Sequence, residues 1–161
     1  MDAANSCGAT PLLIASQNGH LEVVRERLEG AAVGTARNSG ATPLFIACVR
    51  GHLGVVRELL ARGAAVDAAD NLCWTPLLIA SALGHLEVVR ELLARGASPG
   101  LADIDGATAL SFATVSGHAA VVQPPLAATP RSSSCCAPRW TRKVKSKGGR
   151  KKKRLAPFWS L

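Results

Sequence analysis

The chain has 161 residues and a mass of 16.7 kDa, enough for one ordinary domain. Hydrophobic residues at 48% against 19% charged support a packed core and exclude a wholly disordered chain. With aromatics at 4% and no tyrosine, Ala, Leu and Val must build that core.

The first predicted element opens at Thr10-Pro11-Leu12-Leu13-Ile14-Ala15-Ser16 and stops at Gly19. Thr suits a helix cap, and Pro suits the first helical position, where its missing N–H costs nothing. A second helix follows Gly19-His20. It is one residue short between Leu28 and Gly30 and carries Arg27 where Leu59 and Leu92 stand later, so it is expected to be the weaker one. Thr42-Pro43-Leu44-Phe45-Ile46-Ala47-Cys48 repeats the first pattern and ends at Gly51-His52. Thr75-Pro76-Leu77-Leu78-Ile79-Ala80-Ser81 copies the first heptad letter for letter and ends at Gly84-His85. The helix from Leu86 to Ala94 places Leu86, Val89, Leu92 and Leu93 on one face while Glu87, Arg90 and Glu91 turn outward. Gly96 is expected to end it in the left-handed conformation. Residues 53–64 and 86–97 differ at a single position. A worn copy, Thr108-Ala109-Leu110-Ser111-Phe112-Ala113-Thr114, leads to Gly117-His118, and Pro124-Pro125 stop the following helix after about one turn. The threonines step by 32, 33 and 33 residues. Each unit is two short antiparallel helices and a turn, too short to bury its apolar face alone, so the units must stack into a solenoid.

The combination of Gly-x-Thr-Pro-Leu at the start of a unit, Gly-His between helices, and Val-Val-Arg-Glu-Leu-Leu-Ala-Arg-Gly-Ala at its end resembles the ankyrin-repeat family over roughly residues 5–123. The resemblance implies an all-α ankyrin-repeat solenoid over residues 1–123, with units at about 5–36, 37–69, 70–102 and a truncated 103–123. A disordered basic tail is expected over 124–161. The departures are specific. The place after Thr-Pro-Leu usually held by His is Leu13, Phe45, Leu78 and Ser111. Cys73 replaces the turn glycine found as Gly8, Gly40 and Gly106, so strain is expected there if its φ is positive. The fourth unit lacks a normal C-terminal cap.

No catalytic constellation is visible. Four histidines recur once per unit, too far apart to share one ion, and no Ser-His-acid order, phosphate loop or paired-carboxylate signal occurs. No Cys-x-x-Cys pair exists, so neither a metal nor a cofactor is expected. The five cysteines are read as reduced thiols, with Cys48 and Cys73 as packing groups and Cys135-Cys136 as a thiolate-prone pair in a basic neighbourhood. No apolar run reaches the roughly 18–20 residues that span a bilayer, and the N-terminus shows no secretory signal. A cytoplasmic or nuclear protein is expected.

The family resemblance places partner contacts on a concave face of turn tips and first helices. Carried over unit by unit, it offers Ser6, Cys7, Ala9, Gln17 and Asn18; then Asn38, Ser39, Ala41, Val49 and Arg50; then Asn71, Leu72, Trp74, Ala82 and Leu83; then Ile104, Asp105, Ala107, Val115 and Ser116. These places vary between units while the framework stays nearly constant. The expected partner-binding set is Asn38, Ser39, Val49, Arg50, Asn71, Leu72, Trp74, Ala82, Leu83 and Asp105, centred on Trp74, which alternatively covers its own turn. A non-enzymatic adaptor binding a protein partner is the function implied. The chain is expected to be a monomer with weak self-association through its uncapped last unit.

Charge divides the chain sharply: residues 1–123 carry −3 and residues 124–161, with no acid, carry +11. Arg142, Lys143, Lys145, Lys147, Arg150, Lys151, Lys152, Lys153 and Arg154 resemble a nuclear-import signal, which implies an import receptor. The same run suits nonspecific nucleic-acid binding, the alternative function, or a solvated tail without a role.

Overall fold

The computed structural model describes residues 4–30 and 32–123, which form eight helices in four pairs. The first helices of the pairs are α1 (Pro11–Asn18), α3 (Pro43–Arg50), α5 (Pro76–Leu83) and α7 (Ala109–Val115). The second helices are α2 (Leu21–Leu28), α4 (Leu53–Ala61), α6 (Leu86–Ala94) and α8 (Ala119–Val121). First helices stack on first helices and second on second, giving a two-layered array. No strand forms among the described residues beyond an isolated Ala102–Thr108 bridge. The expected tail, 124–161, lies outside the described residues.

Local chemistry starts and stops these helices as the sequence implies. Thr10, Thr42 and Thr75 hold extended backbone, and their Oγ1 atoms accept from the amides of Leu13, Phe45 and Leu78 at 3.2–3.3 Å. Thr108 makes the same bond to Ser111 at 3.5 Å, the longest of the four. The ends of α1, α3 and α5 are closed by Gly19, Gly51 and Gly84 in the left-handed region. The second helices end differently. Gly63 and Gly96 follow the Arg62 and Arg95 caps of α4 and α6 with φ of 84° and 85°, whereas Gly30, after the Glu29 cap of α2, is not in the left-handed region.

Burial follows the stacking. Leu44, Leu59, Leu77, Leu78 and Leu92 are enclosed together with Val55, Val56, Val88 and Val89, all from the interior units. On α6 the buried set is Val88, Val89 and Leu92, while Leu86 and Leu93 are only half-buried, so the buried stripe is turned relative to the expected one. Glu91 does not simply face water: it is half-buried and accepts from both Arg57, one unit earlier, and Arg95. Glu58 takes Arg25 and Arg62 in the same way. Such pairs contribute at most about 1 kcal/mol each and mainly fix the register of neighbouring units.

Three of the four turns before a first helix are braced by an acceptor at their start. Asn5 Oδ1 accepts from the amides of Cys7 and Ala9, Asp70 from Leu72 and Trp74, and Asp103 from Asp105 and Ala107. The second unit has Arg37 at that place, which has no acceptor to offer, and its buried Nε has no hydrogen-bond partner among the described residues. Arg37→Asp is therefore expected to supply acceptors for the amides of Ser39 and Ala41 and raise stability by about 1–2 kcal/mol. Urea unfolding followed by circular dichroism checks this; an unchanged or lower midpoint rejects the brace.

Candidate functional site

The turns present their tips in a row, and two sets of contacts join successive units. The first uses histidine. His52 Nε2 lies 3.1 Å from the Gln17 carbonyl, His85 Nε2 3.2 Å from that of Val49, and His118 Nε2 3.1 Å from that of Ala82. Each imidazole leans over a glycine: a Cβ on Gly51 would fall 2.7 Å from His85 Nδ1, and one on Gly84 2.6 Å from His118 Nδ1. The recurring Gly-His pair is thus an inter-unit joint in which glycine supplies both the positive φ and the room. No group of three or more metal-binding side chains forms among the described residues.

The second lock uses asparagine at the turn tips. Asn38 Nδ2 donates to the Ser6 carbonyl at 3.4 Å, and Asn71 Nδ2 to the Asn38 carbonyl at 3.1 Å. The backbone follows, with the Asn71 amide donating to Ser39 O at 3.1 Å. Gly40 makes room for this: a Cβ there would sit 2.7 Å from Asn71 Oδ1. Between the third and fourth units both halves change. Cys73 replaces the glycine and holds φ 61°, the one positive φ of a non-glycine among the described residues, while Ile104 replaces the asparagine. The strain expected at Cys73 is present, on the order of 1–2 kcal/mol.

These contacts sort the sequence-derived candidates. Asn38 and Asn71 are exposed, and each gives one Nδ2 hydrogen bond to the ladder. Val49 and Ala82 are half-buried, and their carbonyls receive His85 and His118. Trp74 and Leu83 are partly buried against the core, and the Trp74 ring lies 4.6 Å from that of Phe112 at an interplanar angle of 43°. Trp74 thus covers the junction with the fourth unit, and part of it still reaches the surface. Ser39, Arg50, Leu72 and Asp105 are exposed. Ile104 is 64% exposed and Leu72 54%, and they occupy the places that Asn71 and Ser39 hold one unit earlier, where a backbone hydrogen bond joins them. The sequence names Ile104 as a tip residue; its prominence follows from the broken ladder, which only the structure displays. The basic residues from Arg142 to Arg154 lie outside the described residues, as do Cys135 and Cys136.

The cysteines differ from one another. Cys48 is free and enclosed, and burial pushes its thiol far above the ordinary range, so it packs as a small apolar group and is no nucleophile. Cys7 is free and exposed, whereas Cys73 is disulfide-bonded, which departs from the all-reduced expectation.

A family model described as ankyrin repeats (3 copies) matches residues 1–70 and 66–124. The chain belongs to the ankyrin-repeat family. No curated protein matches it. Ankyrin repeats are protein–protein interaction modules and are generally non-catalytic. No helix among the described residues is long and apolar enough to cross a membrane.

The ankyrin histidine joint is open to test. His85→Ala removes the donor to Val49 O and uncovers Gly51, at an expected cost of about 1–3 kcal/mol. His20, the first of the series, meets no such carbonyl among the described residues, so His20→Ala is expected to leave the unfolding midpoint unchanged. Equal midpoints for the two variants in urea unfolding reject the joint.

Proposed function

We propose that the array is a non-enzymatic adaptor that captures a protein segment along the concave side formed by turn tips and first helices. Its anchors are Leu72 and Ile104, with Arg50 and the outer edge of Trp74 beside them. The observation that carries this reading is the pair of large apolar side chains left exposed on successive tips, where the first two tips bear Ser6, Cys7, Asn38 and Ser39. An exposed apolar pair beside an aromatic edge and an arginine has the composition of an interface hot spot. Arg50 is exposed and makes no ion pair among the described residues, which leaves its guanidinium available to a partner's carbonyl or carboxylate. Stacked units hold these groups in place, so little ordering entropy is lost on binding.

The experiment compares proteins retained by the immobilised chain and by a Leu72→Ser/Ile104→Ser variant, identified by mass spectrometry. Both side chains project from the packed body, so the helical circular-dichroism signal and midpoint are expected to hold while capture falls at least about tenfold. Equal retention rejects the anchors. Trp74→Ala or Leu83→Ala is the poorer probe, because both side chains also pack against the core.

A second reading rests on the division of charge, −3 over residues 1–123 against +11 over 124–161. In it the basic segment directs nuclear import or adds polyanion affinity, making the protein a nuclear, nucleic-acid-associated adaptor. Replacing Lys151, Lys152, Lys153 and Arg154 with serine is expected to abolish nuclear accumulation of a fluorescent fusion. The same change flattens the salt dependence of DNA binding by roughly 3–4 in slope if polyanion contact is the role. A fusion and a DNA affinity that both ignore the change reject this reading.

A further inference from the structure

The joint that ties unit to unit is half-made at each end of the described array, and we propose that a second copy of this chain completes it head to tail. At every internal junction an imidazole leans over the glycine of the preceding unit and reaches the carbonyl two residues before it. At the N-terminal face His20 is exposed, and its ring has no hydrogen-bond partner among the described residues. At the C-terminal face Gly117 keeps a φ of +75°, and among the described residues nothing lies within 4 Å of the place its Cβ would take. The carbonyl two residues earlier, on Val115, has no imidazole opposite it among the described residues. One face carries the plug and the other the socket.

The apolar surface divides in the same way. Val23 is 41% exposed on the N-terminal face, although its counterparts Val55 and Val88 are buried beneath the preceding unit's helices. Leu110 is 39% exposed on the C-terminal face, where Leu12, Leu44 and Leu77 are covered by the unit that follows. Val115 is 87% exposed where Val49 and Ala82 are half-buried. These are the groups that an internal junction encloses. A copy placed by the displacement that relates neighbouring units meets the other copy in the geometry the chain already uses within itself.

Such a contact pairs two different faces and does not close, so it generates open-ended chains of copies. It is also weak. The outer layer at the C-terminal face is α8, three residues long, which offers little for α2 of the next copy to pack on. The partner-capture surface at Leu72 is left uncovered, and the test below needs only the purified chain, so either proposal can fail without the other.

The test is sedimentation equilibrium of the full 161-residue chain from about 10 µM to about 1 mM, with no reductant added. The average mass is expected to rise continuously and to pass that of two copies. Val23→Glu blocks one face and Val115→Glu the other, both at exposed positions, so each variant alone is expected to stay monomeric with an unchanged helical signal. Mixed together they retain one good face each, and they are expected to form one-to-one pairs and nothing larger. His20→Ala lowers the wild-type association constant roughly fivefold. The proposal is overturned by a wild-type chain that is monomeric throughout, by a single-face variant that associates like wild type, by a mixture that fails to pair, or by an association constant indifferent to His20.

Discussion

The fold rests on the contact between one unit and the next. A pair of eight- or nine-residue helices cannot enclose its own apolar stripe, so leucines and valines of α3 to α6 are buried only because a neighbour lies on each side. Packing alone tolerates some sliding and rotation. The imidazole that spans from one unit to a carbonyl of the previous one does not, because the donor distance and the fit over bare glycine are both satisfied at one displacement. Repeated three times, that displacement sets the row of turn tips and hence the spacing of whatever the tips display.

The junction of the third and fourth units shows how the array absorbs a departure. There the asparagine bond is missing, because Ile104 cannot donate, and the glycine that would accommodate an asparagine is Cys73 in strained backbone. The two changes belong together: with no carboxamide to seat, the space over the glycine is no longer required. The same junction carries the Trp74–Phe112 ring contact, worth about 0.5–1.5 kcal/mol beyond the area it buries, which offsets part of the loss. A polar, directional link is thereby exchanged for an aromatic one, and two apolar side chains come to stand on the surface. The proposed binding surface and the structural compromise occupy the same place.

A regular array with identical junctions has ends that are chemically unlike its middle. Among the described residues, the first unit presents a donor that meets no carbonyl, and the last presents a socket that meets no donor and a first helix exposed on one side. Arrays of this kind ordinarily carry polar outer faces on their terminal units. Here the first unit does so in part, with Arg27 replacing a core leucine, while the fourth leaves Leu110 and Val115 open. Leu110 and Val115 stand on the side of α7 where, in the earlier pairs, the next unit packs.

The period, the helix starts at Thr-Pro and the stops at Gly-His were legible in the chain because they depend on local chemistry: cap hydroxyls, a proline at its tolerated position, and glycine where φ is positive. The strain at Cys73 was legible for the same reason, by comparison with Gly8, Gly40 and Gly106. Tertiary contact decided the rest. Which tip residues are free for a partner depends on neighbours 32 to 36 residues away, so Asn38 and Asn71, polar and variable, are committed to the ladder, and Val49 and Ala82 lend their carbonyls to histidines. Arg37 looks like one more surface residue until its turn is seen without the acceptor that the other three possess. The sequence by itself determined that this chain is a stack of four helix pairs, because each pair is encoded within some thirty residues. Only the assembled stack determined which side chains remain available, because hydrogen bonds between units consume groups that no local pattern marks as taken.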